Sequence, residues 1–156
     1  MSIRCRLNVN GAEHGIEVDG METLLTTLRE RLALLGAKRG CDQGVCGACT
    51  VLMDGRPVRA CLSLAANSEG SALTTIEALG RDELGRRLQQ AFVELGAVQC
   101  GFCTSGMLLA AYALLRENPT SPLDDVREAL SGNLCRCSGY RKIVDAVLSV
   151  ARREVE

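Results

Sequence analysis

The sequence predicts an α+β protein: a small sheet with one helix, followed by an antiparallel four-helix bundle. Three observations carry that expectation. Apolar and polar residues alternate along the first strand-length segment. The dipeptides Asn10-Gly11 and Asp54-Gly55 sit between apolar runs, where they signal hairpin turns. In the second half, apolar residues recur at helical spacing instead.

Ile3, Cys5, Leu7 and Val9 alternate with polar residues, which predicts a half-buried strand. Asn10-Gly11 turns the chain, and Ile16-Glu17-Val18 returns as the second strand of a hairpin. Leu24, Leu25, Leu28 and Leu32 share one face of a helix expected to end near Gly36. After a cysteine-rich loop, residues 50–53 and 57–61 flank Asp54-Gly55 as a second hairpin. A short strand around residues 73–76 is expected to close the sheet. Leu84, Leu88, Phe92 and Leu95 then open the helical half. A second helix is expected over residues 104–118, stopped by Pro119. Ser121 as N-cap and Pro122 at the first helical position begin a third, which ends near Gly132. Ile143, Val147 and Val150 mark the fourth, and the short connections favour antiparallel neighbours. Two domains are expected, 1–78 and 79–156, with the boundary between Ile76 and Asp82.

Composition narrows the function. Aliphatic residues must build the core, because aromatics make up 3% of the chain and tryptophan is absent. The formal charge is −1 with acids and bases mixed, so the basic stripe of a nucleic-acid binder is missing. Arg86-Arg87 and Arg152-Arg153 read as solvated helix faces. The longest apolar stretch, Met107 to Leu115, is too short to span a bilayer. The first residues lack the apolar block of a signal peptide, which predicts a cytoplasmic protein. In that reducing compartment, nine cysteines point to metal binding before disulfides.

Eight of these cysteines form two groups. Cys41, Cys46, Cys49 and Cys61 follow the C-x4-C-x2-C spacing, with the fourth after eleven residues. This is the plant-type ferredoxin pattern for a 2Fe–2S cluster. Three thiolates on one tight loop cannot close both iron tetrahedra, so a fourth must arrive from a neighbouring strand. Gly40, Gly44 and Gly47 let that loop approach closely and turn N–H groups toward sulfur. The second group is Cys100, Cys103, Cys135 and Cys137, in two pairs that precede the second and fourth bundle helices. Helix N-termini there would favour the negative charge of a second cluster. Structural zinc remains an alternative, since sulfur ligation alone does not choose the metal. A redox disulfide at Cys46-Gly47-Ala48-Cys49 is opposed by the third thiol, Cys41, and by the lack of a βαβ pattern. Cys5 reads as a buried structural thiol and His14 as an exposed residue at a hairpin end.

Three segments then become recognisable: residues 40–50, Gln99-Cys100-Gly101-Phe102-Cys103-Thr104, and residues 132–140. Together they resemble the small iron–sulfur subunit of the molybdenum hydroxylases, the family of xanthine dehydrogenase, aldehyde oxidoreductase and aerobic carbon monoxide dehydrogenase. The resemblance runs over nearly the whole chain, in the family order. It implies a β-grasp ferredoxin domain followed by a four-helix bundle. It also implies a cluster near the surface facing FAD, and a buried cluster beside molybdopterin, in its cytosine dinucleotide form. Gln99 matches a glutamine whose amide contacts the pterin; read without the family, it would cap the next helix. The implied partners are a large molybdopterin-binding subunit and a medium FAD-binding subunit, assembled as a dimer of heterotrimers. The chain has no Gly-rich dinucleotide fingerprint and no room for a molybdenum domain, so no residue is expected as general acid, base or nucleophile. A free-standing ferredoxin-like carrier is the other electron-transfer reading. Ser105 departs from the family, which often has proline there, and could cap a helix instead.

Overall fold

A computed structural model describes residues 2–152. Ile3 to Val9 lie in strand β1 (Ser2–Val9), which pairs antiparallel with β2 (Ala12–Asp19). Between them Asn10 and Gly11 both adopt positive φ, 56° and 81°, the backbone of a type I′ turn. Cys5, Leu7 and Val9 are buried as the alternation requires, whereas Ile3, at the open end of the strand, is exposed. His14 is not at the hairpin end: it lies within β2, opposite Leu7, and is half-buried.

The first helix is shorter than the leucine spacing suggests. The α-helix α1 (Leu24–Thr26) widens at once into a π turn over Thr27–Arg31, well short of Gly36. Glu22 anchors this turn, accepting from Thr27 Oγ1 at 2.7 Å and from Arg31 at 2.6 and 2.7 Å. Ala33 then takes left-handed φ, and the Leu34 N–H reaches back to the Leu28 carbonyl at 2.8 Å. That closure is one residue wider than a Schellman cap, as a π turn demands. Leu24, Leu25 and Leu28 are buried, while Leu32 only borders the core.

Strands β3 (Thr50–Met53) and β4 (Arg56–Arg59) form the second hairpin around Asp54-Gly55, with φ of 50° and 80°. Strand β4 stops at Arg59, so Cys61 lies in the turn beyond it. Strand β5 (Ala72–Thr74) joins the two hairpins into one sheet. It sits at the centre of the sheet, order β2-β1-β5-β3-β4, parallel to β1 and antiparallel to β3. Ile76 instead starts a helical turn, α2 (Ile76–Leu79).

Four longer helices follow: α3 (Glu83–Glu94), α4 (Thr104–Glu117), α5 (Leu123–Leu130) and α6 (Arg141–Arg152). Helix α3 packs on α4 and α6, and α5 on α4 and α6. Asp82 caps α3 by accepting from Gly85 N–H. Ser121 is not an N-cap. Its hydroxyl donates to the Asn118 carbonyl at 2.7 Å, closing the turn that Pro119 forces, and Pro122 takes the cap position. Arg86 is exposed and pairs with Glu83, but Arg87 is half-buried and donates to the Val150 carbonyl of α6. Arg153 and the Arg152 side chain lie outside the described residues. No described helix is long and apolar enough to cross a membrane.

Two apolar cores result. Cys5, Leu7, Leu25, Leu28, Val51 and Leu73 fill the sheet side, while Leu88, Phe92, Met107, Leu109, Ile143 and Val147 fill the helical side. Strand β3 is the wall between them: Val51 belongs to the first core and Leu52 to the second. Phe92 is 1% exposed and the largest side chain in the helical core. Phe92→Ala should lower unfolding free energy by ~3–5 kcal/mol through lost transfer energy and the cavity left behind; chemical denaturation of the chain measures it.

Candidate metal centres

The first cysteine loop is shaped by backbone conformations that ordinary residues avoid. Asp42, Gly44 and Gly47 take positive φ of 53°, 74° and 74°. The loop consequently curls around Cys41 Sγ, which accepts the N–H of Gln43 at 3.3 Å and of Cys46 at 3.4 Å. The Cys46 amide, then that of Gln43, hold the Cys41 thiol down to about 7. Such a nest of N–H groups stabilises a thiolate, and equally a metal-bound sulfur. Gly40 is needed for space, since a Cβ there would lie 2.8 Å from Cys46 Sγ.

The fourth thiol arrives through the β3–β4 hairpin. Cys49 immediately precedes β3, and the register pairs Thr50 with Arg59, so the chain after β4 returns to the loop. The Ala60 N–H donates to the Cys49 carbonyl, and Cys49 Sγ and Cys61 Sγ come within 3.4 Å. The eleven-residue spacing is therefore the length of a tight hairpin. Burial pushes the Cys49 thiol up to about 11.

The second group comes together from both of its sequence pairs. Cys100 and Cys137 are exposed, with sulfurs 3.5 Å apart, while Cys103 and Cys135 are half-buried. Burial pushes the Cys103 thiol up to about 12. Burial also opposes ionisation of Cys135, but the Ser138 hydroxyl at 3.0 Å and the Ser138 N–H at 3.4 Å hold its thiol below the ordinary range. The Phe102 N–H does the same for Cys100, and sharing a proton with Cys100 raises Cys137. Cys103 occupies the N-cap of α4. Cys135 and Cys137 do not reach the α6 terminus, because the turn Ser138–Tyr140 intervenes. The Tyr140 hydroxyl in that turn accepts the Cys135 N–H at 3.1 Å.

Among the described residues, no three Cys, His, Asp or Glu side chains converge on one point. One pair of sulfurs in each group stands close instead: Cys49 with Cys61, and Cys100 with Cys137. A single zinc ion needs all four sulfurs around one centre, whereas a two-iron cluster takes two at each end. Thiolates sharing one tetrahedral metal, with bonds of about 2.3 Å, lie about 3.8 Å apart. The separations of 3.4 and 3.5 Å approach that value, so each of these pairs fits one iron of a two-iron group.

Gln99 does not cap α4. Its Nε2–H donates to the Cys137 carbonyl at 3.2 Å, at the exposed rim of the second group. Ser105 is no cap either: it is buried in the first turn of α4, and its hydroxyl donates to the Gly36 carbonyl at 2.7 Å. Cys5 is buried in the sheet core, in the same apolar cluster as Cys49 and Cys61, and makes no hydrogen bond to either of them.

Sequence reading passed over the residues that bind the two sites to each other. Asn133, 2% exposed, donates from Nδ2 to the Gly47 carbonyl at 3.0 Å and to Thr50 Oγ1 at 3.1 Å. The Leu134 N–H donates to the Cys46 carbonyl at 2.8 Å. Gly47, Gly106 and Gly132 allow this approach: a Cβ on Gly47 would lie 2.5 Å from the Gly132 carbonyl, and one on Gly106 would overlap the Gly47 carbonyl. The signal available in the sequence is Gly132-Asn133, separated from Cys135 by Leu134 alone.

The chain matches two domain families. Residues 7–79 match the 2Fe–2S iron–sulfur cluster binding domain, and residues 75–148 the 2Fe–2S binding domain. It is 52% identical to the nicotine 6-hydroxylase small subunit of Paenarthrobacter nicotinovorans, over 91% of this chain and 86% of that one. It is 46% identical to the nicotinate dehydrogenase small FeS subunit of Eubacterium barkeri, over 97% of this chain and 96% of that one. Among solved structures, quinoline 2-oxidoreductase from Pseudomonas putida 86 superposes with a TM-score of 0.89 at 46% identity, over 97% of both chains. The aldehyde oxidoreductase of Desulfovibrio gigas gives 0.90 at 40% identity, over 98% of this chain but 17% of the longer one.

Gly106→Ala tests the seam. The added methyl has nowhere to go, so overpacking should cost ~1–3 kcal/mol. In hydrogen exchange, the Leu134 amide should lose protection before the amides in the middle of α4 do.

Proposed function

This chain belongs to the small iron–sulfur subunits of the molybdenum hydroxylases, and from that premise we propose which residues hold its two clusters and where its electrons go. It is an electron-transfer subunit of a multi-subunit oxidoreductase, carries two 2Fe–2S clusters, and leaves substrate chemistry to a partner. Cys41, Cys46, Cys49 and Cys61 hold one cluster, and Cys100, Cys103, Cys135 and Cys137 the other. The close approach of two thiol pairs is the observation that supports this assignment: Cys49 with Cys61 in the first group, and Cys100 with Cys137 in the second.

Bound there, the clusters supply a one-electron relay, from molybdopterin on a large partner through the second cluster and then the first to FAD on a medium partner. The chain's own residues ligate sulfur and iron, direct N–H groups at the sulfurs, and exclude water from the inner pairs. Gln99 stands where a pterin beside the exposed Cys100–Cys137 pair would meet its amide, with Nε2 steadied by the Cys137 carbonyl. The cofactor form we propose is the cytosine dinucleotide, in a cytoplasmic dimer of heterotrimers. Within the chain, residues 1–78 form a β-grasp ferredoxin domain and 79–156 a four-helix bundle domain.

EPR of the dithionite-reduced complex should show two distinct 2Fe–2S signals. Cys41→Ser should abolish one and Cys100→Ser the other. A folded variant in which either substitution removes both signals would refute the partition.

A further inference from the structure

The seam between the cysteine groups contains a charge that ligation does not explain. Arg59 ends β4, two residues before Cys61, and is half-buried. Its Nη1–H donates to Thr50 Oγ1 at 2.7 Å, beside Cys49, and its Nη2–H donates to the Gly132 carbonyl, three residues before Cys135. A Cβ on Gly132 would overlap Nη2, so the glycine admits the guanidinium. Both acceptors are neutral, and no carboxylate among the described residues forms an ion pair with Arg59. The other arginine near the first loop is different: Arg39 is paired with Asp42 at 2.8 Å and with Glu30 at 3.6 Å.

A half-buried cation without a counter-ion is unfavourable unless something nearby carries negative charge. We propose that Arg59 is a positioning residue for electron transfer, whose charge favours the reduced form of the first cluster and whose two-armed contact holds both cysteine loops in fixed relation. This rests on the two-cluster reading above. Reduction adds one electron and no proton, taking a dianionic centre to a trianion, so a fixed cation beside Cys49 and Cys61 stabilises the product more than the reactant. Its field acts chiefly on the first cluster, because Nη1 is bound to Thr50, which adjoins Cys49, and Arg59 itself lies two residues before Cys61. The first cluster becomes the better electron acceptor of the two.

The test is an EPR-monitored redox titration of the purified complex, comparing wild type with Arg59→Met and Arg59→Lys. In Arg59→Met, the equilibrium constant for moving an electron from the second cluster to the first should fall at least tenfold, a 59 mV change for one electron. Arg59→Lys should stay within about threefold of wild type in that constant, while the Leu134 amide exchanges faster because the fork to Gly132 is lost. An unchanged constant in a fully loaded Arg59→Met complex overturns the role. Should Arg59→Met fail to load both clusters, Arg59→Lys decides: wild-type separation supports the charge, and a Met-like shift or failed loading overturns it. A wild-type complex with fewer than two signals would instead refute the two-cluster reading, whatever Arg59 does.

Discussion

The architecture depends on one close approach of backbone to backbone. Gly47, in the first cysteine loop, lies against Gly106 of α4 and Gly132 of the turn before Cys135, with no room for a side chain at any of the three. Contact this tight brings carbonyls into a nearly dry seam, and each must find a donor. Asn133, Arg59 and the Leu134 N–H supply them, and among the described residues no buried side-chain polar atom is left unpaired. Ser105 and Lys38 add a further stitch at the Gly36 carbonyl. An electron carrier with two centres needs their separation held constant, and glycine contacts with directional hydrogen bonds hold it more rigidly than apolar packing alone.

Strand β3 translates this constraint into the fold. Because Val51 serves the sheet core and Leu52 the helical core, the strand is buried on both faces, and the two halves share a wall. The same strand begins beside Cys49 and leads through its hairpin to Cys61, so packing of the halves also sets the inner pair of the first site. The individual thiols are governed differently. Cys41 sits in a cradle of amides, and Cys135 receives the Ser138 hydroxyl, whereas Cys49 and Cys103 are raised by burial. Each site therefore pairs thiols that ionise readily with thiols whose charge is tolerable only once bound to metal.

Much of this was readable beforehand, and the failures have physical causes. Hairpins at Asn10-Gly11 and Asp54-Gly55 were legible because left-handed backbone selects those residues. The two cysteine groups were legible because metal ligation fixes residue type and spacing. The helix after Leu24 was overextended, since leucine spacing does not register a π turn anchored from outside by Glu22. Strand β5 is legible around Leu73, but its central place between β1 and β3 is not, because pairing partners are a tertiary property. Ser105 and Ser121 looked like caps locally, yet each hydroxyl answers a carbonyl that sequence cannot place. Arg59 gave no signal at all: its meaning comes from Thr50 and Gly132, brought together only in three dimensions.

Electron flow through this chain requires that its eight grouped cysteines hold iron. Quantifying iron, zinc and acid-labile sulfide in the complex purified without oxygen tests that most directly. The account requires about four irons and four sulfides per copy of this chain, without stoichiometric zinc. Zinc in place of iron, with no labile sulfide, would contradict it.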